Sequence, residues 1–336
     1  MSRLQERIER IFALGDRIGY TAAEDEAHAL ARGWMEEAGL EVEVDDAGNL
    51  IGRVPGVGRD VWTGSHLDSV PSGGRFDGVL GVLGGLEAAG RLGLPGLAVV
   101  AFRDEERGCA GSRARVASGA VPDAYLELHI EQGPRLERAD APLAAVTGIV
   151  GYSRQTVTVR GRAGHAGTTP MEGREDALVA AAKRILAIRE AAAAIPDAVA
   201  TVGTISVDPG GVNVIPGEVS FTVDARAPDR ARLDELLGAI GLETGVGVEP
   251  AAMDAAVVAA TRAAIEDAGV PVLELASGAG HDAGILASAG VAAGMLFVRS
   301  RNGGISHNPD EWSDPEDCAL AVDVLADALA RLWAGS

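Results

Sequence analysis

The stretch from Asp60 to Glu106 sets the strongest limit on what this chain can fold into. It reads DVWTGSHLDSV, then GVLGVLGGLEAAGRL from Gly78 to Leu92, then LAVVAFRDEE. The first segment is a strand running into a loop, the second a helix dense in small residues, the third a buried strand with a charged end. Apolar strands joined through a helix belong to a mostly parallel sheet covered by helices. The expected fold class is therefore α/β, a mostly parallel mixed sheet flanked by helices. Ligands bind such sheets beyond the C-terminal strand ends, which is where His66 and the Asp104–Glu106 cluster fall. Upstream, residues 3–14 and 22–38 have amphipathic helical spacing, the second closed by Gly39. LEVEVDDAGNLIGRV alternates as a hairpin that turns at Asp46–Asn49.

From about Gly151 the pattern changes. RQTVTVRGRAGHAG, a helix over 174–194, the two strands of AVATVGTISVDPGGVNVIPGEVSFTVDARAPD and a helix over 231–241 make a compact α+β unit. After Glu249 the alternation of helix and strand resumes, with the helix DAAVVAATRAAIEDAG, the glycine-rich loop SGAGHDAGILASAG, the strand AAGMLFVRS and a terminal helix over 314–334. A chain of 336 residues exceeds what one core usually supports. The expected domains are residues 1–149 plus 250–336, with 150–249 inserted.

Asp and Glu outnumber Lys and Arg 49 to 29, for a formal charge of -20. With no run of basic residues interleaved with aromatics, nucleic acid is excluded as a partner. The opening MSRLQERIERIFALGD alternates charge with apolar residues and has no signal-peptide pattern, so the expected location is cytoplasmic. Glu87 and Arg91 interrupt the most apolar run, so no membrane partner is expected. Two cysteines, Cys109 and Cys318, make no disulfide framework and read as small buried hydrophobes. There is no G-x-S-x-G elbow, Walker loop or G-x-G-x-x-G after the first strand.

Five of the six histidines, His66, His129, His165, His281 and His307, stand in segments dense with Gly, Ser, Asp or Asn. In GSHLDSVPSGGRFDG the H-x-D step points His66 and Asp68 to one side, so Asp68 can hold the second imidazole nitrogen. Asp77 follows a loop whose glycines let the chain double back, and its two oxygens can bridge two ions. Taken singly, these aspartates read as a turn residue and a helix cap. FRDEERG offers one acid to ligate a metal and a neighbour to take a proton from water. In YLELHIEQGP, Glu127, His129 and Glu131 share a face. Together His66, Asp77, Glu106, His129 and His307 supply imidazole and carboxylate donors for two divalent ions, a set suited to Zn, Mn, Co or Ni.

These segments, with GHAGTTPMEGREDAL, GGVNVIPGEVSFTVDAR, SGAGHDA and GISHNPDE, resemble the two-metal aminoacylase and carboxypeptidase-like amidohydrolases. The resemblance is to the branch of N-carbamoyl-L-amino-acid hydrolases, allantoate amidohydrolases and β-ureidopropionases, and LELHIEQGP separates that branch from its peptidase relatives. It implies that Asp77 bridges the ions, with His66 and His129 on one and Glu106 and His307 on the other. Glu105 would be the general base that generates a metal-bridged hydroxide, and Asp68 would orient His66. His165 would stabilise the oxyanion from the partner subunit of a homodimer formed through residues 150–249, the lid of the catalytic domain. Asn213 and Arg226 would hold the substrate carboxylate and Gln132 the ureido group. The implied substrate is a small carbamoyl or ureido acid: an N-carbamoyl-L-amino acid first, allantoate or ureidoglycolate second. A homologue that binds metal or ureido acid without turnover is the alternative of a different class. The branch is usually longer, and the shortening falls after Glu106, near Gly241–Glu249 and at the N-terminus.

Overall fold

The structure, a computed structural model, describes residues 2–335. Two compact units form: one runs to Ile149 and resumes at Ala251, the other spans Val150–Pro250. The first unit opens with helices α1 (Arg3–Phe12) and α2 (Ala22–Glu37) and the hairpin strands β1 (Glu41–Val44) and β2 (Leu50–Arg53). It continues with β3 (Val61–His66), α3 (Val79–Leu92), β4 (Ala98–Phe102), α4 (Ala110–Ser118), β5 (Ala124–Ile130), α5 (Arg135–Ala139) and β6 (Leu143–Ile149). The second unit contains β7 (Gly151–Arg160), β8 (Gly164–His165), α6 (Ala177–Ala194), β9 (Val199–Asp208), β10 (Val214–Ile215), β11 (Glu218–Ala227) and α7 (Arg230–Ala239). The first unit then closes with β12 (Ala251–Ala252), α8 (Ala255–Asp267), β13 (Glu274–Ser277), α9 (Asp282–Ser288), β14 (Ala292–Val298) and α10 (Pro315–Ala334).

The main sheet runs β1-β2-β4-β3-β5-β14-β6-β12, with β13 also on β6. Its centre is parallel: β4 with β3, β3 with β5 and β5 with β14. The hairpin strands and β12 make it mixed. Every residue of β3, β4 and β5 is buried, because both sheet faces are covered. Val99 and Ala101 of β4 join one core with Leu83 and Leu86 of α3; Ala98, Val100 and Phe102 join the other with Ala283 and Leu286 of α9. This dual burial produces the unbroken apolar runs. In the second unit β7, β11 and β9 form an antiparallel sheet, whose core includes Phe221, Ala181 and Leu236. Beyond β7 the chain near 241–249 adds only the single bridge Tyr152–Val248.

Some local expectations shift. The helix expected over 174–194 starts at Ala177, capped by Asp176, whose carboxylate accepts from Leu178 and Val179. The segment read as a glycine-rich loop holds α9, and the compressed stretch after Glu106 holds α4.

Candidate metal centre

The four parallel strands β3, β4, β5 and β14 all end on one edge of the sheet. His66 is the last residue of β3 and His129 the penultimate residue of β5. Glu105 and Glu106 follow β4, and the loop to His307 follows β14. Asp77 returns from the loop after β3. That return needs Gly78, which sits at φ 66° so close to His66 that a Cβ there would lie 2.5 Å from the imidazole. Asp77 does not cap α3; Gly78 occupies the cap position.

Asp77 is the hub. Its Oδ1 lies 3.2 Å from His129 Nε2 and 3.6 Å from His66 Nε2, and its Oδ2 lies 3.5 Å from His307 Nε2. Glu106 Oε2 is 3.2 Å from the same His307 nitrogen. His66, Asp77 and His129 thus converge as one trio of donors, and Asp77, Glu106 and His307 as another. The trios differ in setting: His66 and His129 are buried, whereas the His307 side chain is 49% exposed.

Each inner imidazole is held by its far nitrogen. His129 Nδ1 lies 2.9 Å from the Ile130 carbonyl, and His66 Nδ1 lies 3.2 Å from both the Asp68 carbonyl oxygen and Asp68 Oδ1. With Nδ1 turned to those oxygens, each Nε2 faces Asp77, where a cation could take the place of its proton. Asp68 also accepts from the backbone N–H of Glu105 and of Glu106, both at 3.1 Å, so one carboxylate fixes an imidazole and the acidic loop. His129 Nε2 is buried without a hydrogen-bond partner. A buried ring nitrogen without a hydrogen-bond partner, set among nitrogen and carboxylate ligands, fits a borderline divalent cation.

The electrostatics agree. Burial opposes the charge on His66, yet Glu105, Asp68 and Asp77 together hold its imidazolium well above the ordinary histidine range. Burial acts the same way on His129, and Asp77 overrides it. Asp77 is buried, but His129 and His66 pull it well below the usual carboxylate value. On Glu105 burial dominates and drives the carboxyl well above its ordinary value; His66 opposes, while Asp282, Glu106 and Asp77 add to the rise. His307 is raised by its bond to Glu106. A field that retains protons on buried imidazoles is one that favours a dication in their place.

Around the hub, Gln132 Nε2 donates to Asp77 Oδ2 at 2.8 Å while its Oε1 is buried without a partner. Glu105 Oε2 lies 3.9 Å from His66 Nε2, and the Cys109 thiol donates to Glu105 Oε1 at 3.7 Å. In the second unit His165, at the end of β8, pairs with Val214 of β10, next to Asn213. Its Nδ1 accepts from the N–H of Gly167 at 3.0 Å and of Thr168 at 3.2 Å, so the proton sits on Nε2. Arg226 lies on β11, its Nε and Nη2 donating to Asp224 at 2.8 and 3.2 Å.

Other neighbours carry no role that sequence reasoning assigns. His281 packs edge-on to His129, with ring centroids 4.5 Å apart, and bonds Ser277 Oγ at 2.7 Å. Glu127 accepts from Ser65 Oγ at 2.7 Å and from the Ala283 N–H at 2.9 Å. Glu311 and Ser306 flank Asp77. The signal for His281 and Glu311 is their place in SGAGHDA and GISHNPDE.

The model of peptidase family M20/M25/M40 matches residues 62–331. An N-carbamoyl-L-amino acid amidohydrolase of Geobacillus stearothermophilus is 38% identical over 95% of this chain and 93% of that protein. The alignment runs over 384 positions, more than the 336 residues here, so that relative carries internal segments this chain lacks. An allantoate amidohydrolase of Bacillus subtilis is 32% identical over 94% of this chain and 92% of that protein. Among solved structures, an amidase of the hydantoinase/carbamoylase family from Burkholderia multivorans superposes with a TM-score of 0.88 at 34% identity. It covers 97% of this chain and 96% of its own.

Proposed function

We propose a specific reaction for this chain, which belongs to peptidase family M20/M25/M40 and is a metal-dependent amidohydrolase acting on non-peptide C–N bonds: it hydrolyses N-carbamoyl-L-amino acids. The observation that carries the reading is the placement of Asp77 between His66 and His129 on one side and Glu106 and His307 on the other. Two divalent ions, from among Zn, Mn, Co and Ni, fit those donors. When bound they polarise the carbamoyl oxygen and acidify water.

The chain's own groups do the rest. Glu105, beside His66 and locked by Asp68 through its backbone, takes a proton from the attacking water. As water oxygen joins the carbamoyl carbon, the bond to the amino-acid nitrogen breaks, and Glu105 returns the proton to that nitrogen. The carbamic acid released falls to ammonia and CO2. Gln132, its amide nitrogen held by Asp77, offers its buried Oε1 to the ureido N–H. His165 offers Nε2–H to the developing oxyanion. It does so from the second copy in a homodimer through residues 150–249, where β9 exposes Val199 and Ile205. Asn213 and Arg226 hold the substrate carboxylate, with Asp224 fixing the guanidinium.

The test is ammonia release from N-carbamoyl-L-amino acids, allantoate and ureidoglycolate, with Mn or Zn added to metal-stripped protein. The expected result is turnover of N-carbamoyl-L-amino acids above the other two, with Glu105→Gln slower on the order of 10²- to 10⁴-fold. Preference for allantoate or ureidoglycolate moves the assignment to that substrate. Equal binding and no turnover by either form makes the chain a binding protein.

A further inference from the structure

The two halves of the centre are held in different ways. His66 and His129 are fixed by strand ends in the sheet. His307 stands on a loop, itself at φ 54° and preceded by Gly303 and Gly304. Glu311, four residues on, is 1% exposed. Its Oε1 accepts from the backbone N–H of Phe76 at 2.8 Å and of Asp77 at 3.1 Å, residues 235 and 234 positions away from it in sequence. Its Oε2 lies 2.9 Å from the hydroxyl of Ser306, the neighbour of His307, and that hydroxyl lies 3.0 Å from Asp77 Oδ2. One carboxylate thereby ties the loop carrying His307 to the loop carrying Asp77, and the Ser306 hydroxyl lies between the two acids.

We infer that Glu311 is a positioning residue that sets the affinity of the outer ion position, the one formed by Asp77, Glu106 and His307. The inference rests on the two-ion reading given above. The inner position keeps Asp77 through its contacts with His66 and His129 on rigid strands. The outer position exists only when the His307 loop is held against Asp77 Oδ2, and no strand does that. Partners that orient metal ligands typically change affinity by 10- to 100-fold when removed. Glutamine at 311 retains one oxygen for the two backbone donors and offers its amide N–H to Ser306. The Ser306 proton then serves Asp77, so the clasp survives.

The experiment is calorimetric titration of the metal-stripped full chain with Zn²⁺, comparing wild type with Glu311→Ala, Glu311→Gln and Ser306→Ala. Wild type is expected to bind two ions. Glu311→Ala and Ser306→Ala are expected to bind the first ion as wild type does and the second at least about tenfold more weakly. Glu311→Gln is expected to restore the second. Equal weakening of both ions, as a general structural defect would give, overturns the inference, and so does a second ion unchanged in the alanine variants. Should Glu311→Ala not fold, Ser306→Ala decides alone. Fewer than two ions in the wild type defeats the two-ion reading itself.

Discussion

At the level of single residues, Asp68 shows how much one carboxylate can organise. It accepts from the N–H groups of Glu105 and Glu106, and its Oδ1 shares His66 Nδ1 with the Asp68 carbonyl oxygen, each at 3.2 Å. Asparagine at 68 is nearly isosteric but offers one acceptor oxygen and turns a donor toward donors. The expected outcome of Asp68→Asn is a fall in kcat/KM of about 10- to 100-fold with the protein still folded; activity within about threefold of wild type would count against the role. Gly78 gives a second test, because alanine there meets both φ 66° and the His66 ring at 2.5 Å. Gly78 is the centre of a γ-turn at φ 66° and ψ −48°, closed by the Val79 N–H donating to the Asp77 carbonyl, and holding a side-chain-bearing residue there alone costs on the order of 1–3 kcal/mol. Gly78→Ala should also lose the inner ion in a Zn²⁺ titration, and retention of normal inner-ion affinity would refute the close-approach argument. Asp68 and Asp77 were legible in the sequence because H-x-D spacing and a glycine-rich return restrict geometry locally. Glu311 is marked only by its place in GISHNPDE; its partners Phe76 and Asp77 lie more than two hundred positions away and nothing local encodes that pairing.

At the level of elements, the strand, helix and strand from Val61 to Phe102 were readable because burial on both faces makes β4 wholly apolar and confines the polar side chains of β3 before His66 to Thr63 and Ser65, each bonded to β5. α9 was hidden for the opposite reason: DAGILAS has seven residues, too few for a helical period to stand out from the glycines around it. β6 escaped for want of alternation, since LAAVTGI has a sheet neighbour on either side and small side chains throughout much of its length. The small residues of α3 let it approach the sheet closely, and Gly81 shows why they are needed. A Cβ there would lie 2.3 Å from the Leu128 carbonyl oxygen and 2.6 Å from Ser65 Cβ. The backbone oxygen belongs to β5 and cannot yield, so Gly81→Ala must lift α3 from the sheet. The expected cost is about 1–3 kcal/mol in urea unfolding of the metal-free protein. A loss below about 0.5 kcal/mol, ordinary for a surface site, would show that α3 is not packed so tightly.

For the molecule as a whole, the buried acids and imidazoles predict how stability responds to pH without metal. In the folded chain His66 and His129 are raised, Glu105 and Glu127 are raised mainly by burial, and burial pushes Asp282 up to about 8. Each binds a proton more tightly folded than unfolded, so its contribution is complete below the unfolded value and is lost as pH climbs through the folded value. His28 and His281 work the other way: burial lowers them, His28 to about 3, so they cost stability only when pH falls below the unfolded histidine value of 6.5. Asp68 and Asp77 are lowered and change stability only near and below the unfolded aspartate value of 3.8. Between pH 6.5 and about 8, then, the raised groups act without opposition from these lowered ones. Every extra proton held by the folded state lowers stability by about 1.4 kcal/mol per pH unit. The melting temperature of metal-stripped protein should therefore fall as pH rises across that window. Divalent ions reverse the trend, because they displace the protons on His66 and His129 and bind more tightly as those protons become easier to remove. Calorimetry of stripped and Zn²⁺-loaded protein across the window should give a gap in melting temperature that widens with pH. A stripped protein whose melting temperature stayed level or rose would mean that these groups do not retain their protons in the folded chain.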